Sequence, residues 1–189
     1  MRKQTKLVAV LSTAALLAIG ASMTSFAATG WAEEDGTWVY YNRDGERATD
    51  QWKKSGNNWY WLDSDGEMAI DQLIEDGDNY YYVDINGVMA ANQWVAIDNE
   101  DAGQDDEPDH YWYYFQANGK ALKNGDNARV ALKTVNGKKY AFDDEGRMLF
   151  GWVDEDSAER VDDTDGDGFK EGTYYFGGED DGAMTVGWL

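Results

Sequence analysis

Beyond residue 30 the chain alternates short aromatic runs with polar gaps that carry glycine, and the alternation keeps a fixed interval. Set at a period of 21 residues, 30–50 read GWAEEDGTWVYYNRDGERATD, 51–71 read QWKKSGNNWYWLDSDGEMAID and 72–92 read QLIEDGDNYYYVDINGVMAAN. Trp31, Trp52, Leu73 and Trp94 fall in register, as do Trp38, Trp59 and Tyr80, then Gly45, Gly66 and Gly87, then Ala48, Ala69 and Ala90. Self-similarity of this kind marks a repeat architecture. A fourth unit spans 93–126, with 11 extra residues ahead of Trp112; a fifth spans 127–150, a sixth 151–186, and Gly187 opens another.

Each unit predicts a two-stranded hairpin. The Trp-bearing run leads into a turn such as Ser55-Gly56-Asn57-Asn58, then an aromatic run such as Trp59-Tyr60-Trp61-Leu62. Gly and Asn tolerate the turn conformations that other L-residues resist, and aromatic side chains suit a pleated, half-buried surface. Side chains alternate faces along a strand, so Trp59 and Trp61 share one face while Tyr60 and Leu62 share the other. An isolated hairpin is marginal in water, but stacked hairpins bury one another. The expected fold is therefore all-β: a β-solenoid of stacked two-stranded hairpins, with no substantial helix after the leader. Tyr60, Leu62, Tyr81, Val83, Phe115, Phe142 and Phe176 are the expected core.

The leader is 1–27. Arg2, Lys3 and Lys6 precede an apolar stretch, 7–19, and Ser25-Phe26-Ala27 offers small residues for cleavage, the pattern of a secretory signal peptide. The apolar stretch is short for a membrane span. The expected organisation is a signal peptide at 1–27 and a repeat array at 28–189, secreted and not membrane-spanning.

Composition narrows the chemistry. The chain has 16 Lys+Arg against 37 Asp+Glu, a net charge of -21, one His and no Cys. Disulfides, thiolate metal sites, Cys nucleophiles and multi-His sites are excluded. Nucleic acid is not an expected partner, because phosphate binding draws on Lys and Arg. Such acidity would suit a disordered chain, yet 9 Trp, 12 Tyr and 6 Phe demand an ordered one built on ring packing.

The motif Gly/Gln-Trp, then Gly, then Trp-Tyr-Trp/Tyr-Leu/Phe, then Gly-x-Met-Ala resembles the choline-binding, or cell-wall-binding, repeat family of Gram-positive surface proteins, strongly over 30–92 and less so at 127–150. Glucan-binding repeats and the repeats of clostridial toxins are similar. The resemblance implies a left-handed solenoid with ligand sites between consecutive hairpins, each a box of three rings and often a Met around the quaternary ammonium of choline on teichoic acids. Physical chemistry agrees: a quaternary ammonium has no N–H to donate, so ring faces must hold it. Three rings at about 0.5–2 kcal/mol each reach roughly millimolar affinity, and repetition multiplies it.

Carried onto this chain, the resemblance gives one choline box of Trp31, Trp38 and Trp61, and a second of Trp52, Trp59 and Tyr82 with Met68 nearby. A third would use Leu73, Tyr80 and Tyr114, and Leu73 breaks it. A fourth would pair Trp94 and Trp112 with Ala141, which leaves it incomplete. The function so implied is a non-catalytic module that attaches to the cell surface. A polysaccharide (glucan) ligand, or a structural solenoid with decayed sites, stands as the alternative.

Two acidic inserts complete the reading. Residues 98–109 read as a solvated loop. In 162–171, Asp163, Asp165 and Asp167 followed by Gly168 match the opening of a calcium loop, but Tyr174 stands where the bidentate Glu belongs. No cofactor is required by the pattern, and calcium is the one metal that this insert would suit. Most other carboxylates, Asp63, Asp65 and Asp84 among them, recur at turn positions. A catalytic pair would be a unique constellation, so an enzyme is not expected.

Overall fold

The computed structural model describes residues 29–104, 107–161 and 171–186. Their strands are β1 (Gly30–Glu34), β2 (Thr37–Tyr41), β3 (Gln51–Ser55), β4 (Asn58–Leu62), β5 (Gln72–Asp76), β6 (Asn79–Val83), β7 (Gln93–Asp98), β8 (His110–Phe115), β9 (Lys133–Val135), β10 (Lys138–Tyr140), β11 (Trp152–Asp154) and β12 (Thr173–Tyr175). Consecutive strands pair antiparallel into separate two-stranded sheets, and no helix occurs among the described residues. The all-β hairpin expectation holds. The 1–27 leader lies outside the described residues, as do Asp163, Asp165 and Asp167 of the calcium reading.

Turn chemistry sets each hairpin. Asp35-Gly36 and Asn136-Gly137 have positive φ at both central residues, whereas Gly56 and Gly77 alone take it in their turns. These are the mirror-image turns whose twist matches that of the strands. The insertion at 98–109 lengthens its hairpin rather than breaking the array: Asp98 pairs with His110, and the Asn99 N–H donates to the Asp109 carbonyl at 3.0 Å.

A second turn follows each hairpin and explains the periodic carboxylates. Asp63 Oδ1 accepts the backbone N–H groups of Asp65 and Glu67, both at 2.9 Å. Asp84 does the same for Asn86 and Val88, and Asp143 for Glu145 and Arg147. Side chains that compete for backbone donors in this way hold turns.

The segment after this turn stitches the units together. The Ala69 N–H donates to the Trp61 carbonyl of its own hairpin at 2.9 Å, while the Met68 N–H donates to Trp38 of the preceding hairpin at 2.7 Å. The cross-unit bond recurs from Met89 to Trp59 (2.9 Å), Ala121 to Tyr80 (2.8 Å), Met148 to Trp112 (2.7 Å) and Met184 to Lys139 (2.8 Å). This seam establishes which positions correspond from unit to unit.

The core lies between successive hairpins. Trp52 opposes Trp61, and Trp59 shares their face by alternation; Ile74 opposes Tyr81, with Val83 on that same face. Trp61, Ile74, Tyr81 and Val83 form one buried cluster, with Trp52 and Met89 packed against it. Each hairpin thus presents Trp and Tyr forward and receives the next hairpin's Tyr and aliphatic residues. The expected core residues Tyr60, Leu62, Tyr81, Val83, Phe115, Phe142 and Phe176 are all buried.

Candidate functional site: aromatic hollows between hairpins

Forward-facing and backward-facing rings meet incompletely at the edge of two of the interfaces, and that mismatch opens a hollow in each. Between the second and third hairpins, Trp52, Trp59, Tyr81 and Met89 line a cavity of about 580 Å³ together with Asn57, Asn58 and Asn118. The Trp52 and Tyr81 ring centroids are 5.1 Å apart at 59°. Trp52 Nε1 donates to Asp76 Oδ2 at 3.1 Å, which fixes the indole. Trp59 is 40% exposed, a large apolar surface for water to meet.

The same construction recurs two interfaces on. Trp94, Trp112, Tyr140 and Met148 line a cavity of about 250 Å³ together with Asp180 and Asp181. Trp94 and Tyr140 lie 4.9 Å apart, again at 59°. Trp112 Nε1 donates to Asp180 Oδ1 at 3.1 Å, and His110 Nε2 lies 3.0 Å from the same oxygen. The Trp112 indole, then the pairing with His110, hold the Asp180 carboxyl below its ordinary pKa.

These hollows share their Trp pairs with the sequence expectation and differ in the third wall. Tyr82, expected beside Trp52 and Trp59, faces forward from the third hairpin; it stacks at 6.1 Å on Phe115, and its hydroxyl bonds Asp71. Burial, the Asp71 bond and nearby carboxylates push its phenol pKa up. Tyr81, one residue earlier, is the side chain that faces back. Met89, and not Met68, completes the hollow, because the seam delivers Met68 to the first interface. The shift is the same one step earlier. Trp61 belongs to the buried cluster of the following interface, while Tyr60 packs on Trp31 at 5.3 Å and 72°. By register, Trp31, Trp38, Tyr60 and Met68 are the corresponding set there.

The fourth set is the largest departure. It is complete: Tyr140, rather than Ala141, is its third wall, and Met148 its fourth. Tyr114 lies beside Trp94 at 5.2 Å within the packed interface and does not line the hollow. At the third interface Leu73, Tyr80 and Tyr82 pack against Tyr113, Phe115 and Ala121, so Leu and Ala replace the Trp and Met of the open sets. Asp180 and Asp181 carry no sequence signal for this role, since Asp180 lies 68 residues from Trp112. Among the described residues no group of three or more His, Cys, Asp or Glu side chains is placed to hold a metal ion.

Comparison with known proteins follows the same lines. A choline-binding repeat model matches residues 28–69 and 48–94, and a cell wall binding repeat model matches 111–121. No curated protein sequence matches the chain. Among solved structures, CbpJ from Streptococcus pneumoniae TIGR4 is 25% identical with a TM-score of 0.54, over 84% of this chain and 42% of that one. Choline binding protein F from the same organism is 26% identical with a TM-score of 0.53, over 86% of this chain and 46% of that one. The modular S. pneumoniae autolysin LytC, solved with a synthetic peptidoglycan ligand, is similar in fold at 24% identity and a TM-score of 0.53, over 83% of this chain and 28% of that one. The chain thus spans less than half the length of each. With its 21-residue register, its cross-unit seam and these matches in agreement, the chain carries choline-binding repeats over 28–94 and a cell wall binding repeat at 111–121.

Proposed function

We propose that this protein is a secreted, non-catalytic module that attaches to the bacterial cell surface by holding choline groups of teichoic acid in the hollows between its hairpins. The observation that carries the proposal is the pair of hollows with one geometry: two Trp, one Tyr and one Met, with the Trp–Tyr rings at 5.1 and 4.9 Å and the same 59°. Three ring faces converging on one space suit a cation that can donate no hydrogen bond. Each hollow alone would bind near millimolar, at about 4 kcal/mol; two or more on one polymer gain by effective concentration. The recurrent carboxylates hold turns, which supports a role without catalysis.

Choline titration followed by Trp fluorescence tests the reading. Saturation near 1 mM is expected from about 4 kcal/mol, and Trp59→Ala should weaken it while the far repeats stay folded. Unchanged fluorescence up to tens of millimolar would overturn it. Asn57 and Asn118 in the lining of the Trp52 hollow favour a second reading, in which the rings stack on sugar faces while the amides bond hydroxyls. Retention on dextran, with no elution of the protein from a quaternary-amine resin by free choline, would select that reading.

A further inference from the structure

The two hollows match in their rings and differ in the turn that closes them. Each lining takes two residues from the turn of the hairpin beyond: Ala117 and Asn118 at the Trp52 hollow, Asp180 and Asp181 at the Trp94 hollow. The glycines confirm the correspondence. A Cβ at Gly119 would strike Met89 and one at Gly182 would strike Met148, so each turn sits against the Met of its hollow. The sixth-unit turn is the longer: four positions separate the buried Phe115 from Gly119, and six separate the buried Phe176 from Gly182. It is also tied down on both sides. Asp180 Oδ1 accepts the Trp112 indole N–H at 3.1 Å and lies 3.0 Å from His110 Nε2, both in the fourth hairpin. Asp181 pairs with Lys138 Nζ of the fifth hairpin at 3.6 Å. At the Trp52 hollow Ala117 has no polar side chain, and Asn118 Oδ1 accepts the Lys120 N–H of its own turn at 3.0 Å. The Trp52–Asp76 bond joins two hairpins that build that hollow and ties no turn to it. The tied hollow is the smaller, about 250 Å³ against about 580 Å³, and its Trp112 is half-buried where Trp59 is exposed.

We infer that the tied turn sets a size limit: the Trp94 hollow takes a trimethylammonium head and excludes a bulkier quaternary ammonium, whereas the Trp52 hollow admits both. This rests on the reading of both hollows as cation sites. The head of choline is within the limit of either, so both hollows serve one polymer. For a larger cation to enter the Trp94 hollow, the sixth-unit turn must move away and the Asp180–Trp112 bond must break. A hydrogen bond to a charged group opposes that movement by about tenfold. The turn of Ala117 and Asn118 has no such bond to lose. Asp180 is thereby a specificity-determining residue, supplied by the sixth unit to a hollow built by the fourth and fifth, and it acts through its bond to the indole and not through its charge.

The test uses the full chain, titrated with tetramethylammonium and separately with tetrapropylammonium. The indole N–H signals of Trp59 and Trp112 are followed by heteronuclear NMR and assigned with Trp59→Phe and Trp112→Phe. Tetramethylammonium should move both signals. Tetrapropylammonium should match it within about threefold at Trp59 and bind about tenfold more weakly at Trp112. Asp180→Ala, at a position more than half exposed, should close most of that gap without altering Trp59. Asp180→Asn keeps an acceptor for the indole and removes the charge, so it should weaken both cations at Trp112 alike and preserve the gap. Equal binding of the two cations at Trp112, the same gap at both indoles, a gap that survives Asp180→Ala, or one that Asp180→Asn abolishes overturns the inference and leaves the cation sites standing. Tetramethylammonium that moves neither indole overturns both.

Discussion

Gly119→Ala should damage the fold and the Trp52 hollow together. Gly119 sits in a post-hairpin turn at φ +81°, and a Cβ built there lies 2.5 Å from Met89 Cε and closer still to its Sδ. Left-handed backbone costs an L-residue about 1–2 kcal/mol. Relieving the clash requires the Met89 side chain to leave its rotamer, and overpacking of this kind costs about 1–3 kcal/mol. The sum is a destabilisation of about 2–5 kcal/mol. Met89 already forms one wall of the hollow, so its displaced thioether enters the space between Trp52, Trp59 and Tyr81. Choline should then bind there more weakly while the Trp112 hollow is unaffected. Gly103→Ala is the control: its φ is +91° and a Cβ would meet nothing within 4 Å, so only the backbone cost applies. Urea unfolding of Gly119→Ala, Met89→Ala and the double variant closes a cycle, in which a coupling of about 1–2 kcal/mol is expected because Met89→Ala removes the clash. Equal losses for Gly119→Ala and Gly103→Ala, with choline binding intact at Trp59, would refute the argument.

Alkali should unfold the protein in a way that depends on Tyr113. Burial, then Asp143, pushes this phenol from 10.0 up to about 12, so its stabilising contribution is complete below pH 10 and is lost as pH rises toward 12, by about 2–3 kcal/mol. Tyr113→Phe should flatten the decline in urea midpoint over that window, and an unflattened decline would show that Tyr113 is not its source. Phe115→Ala empties a site with no exposure and should cost about 3–5 kcal/mol. The first hairpins should keep their protection from hydrogen exchange, since each unit rests on its neighbours; loss of protection throughout would mean that the array unfolds as one body. If Asp163, Asp165 and Asp167 hold calcium, chelation should lower the melting temperature, and Asp163→Ala with Asp165→Ala should abolish that response. A melting temperature indifferent to chelator ends the calcium reading.

The period of 21 residues makes the hairpins, their turns and the paired Trp positions legible in the amino-acid sequence. Period-two alternation separates Tyr60 from Trp61 and Tyr81 from Tyr82. It does not reveal which face looks back along the stack, because that depends on how one hairpin is laid on the last. The deciding contact is the seam, such as Met89 N–H on the Trp59 carbonyl, and it is made by backbone atoms common to every residue type. An offset of a single residue moves all the third walls, turning Tyr140 into Ala141 and hiding the Trp94 hollow. Asp180 and Asp181 are illegible for another reason. They stand in a Gly-Gly-Glu-Asp-Asp-Gly turn that reads as solvated surface, and only the folding of the sixth unit brings them to Trp112.

The seam also has a mechanical consequence. Every unit is tied to its predecessor through the same short segment, where one residue donates to its own hairpin and its neighbour donates to the hairpin before. A load applied to one end therefore falls first on the terminal stitch and reaches the next only after that one has parted. Such an array yields as a zipper, in small successive extensions at similar force, and does not snap as a single block. A tether of this kind would absorb work while its remaining hollows keep their grip.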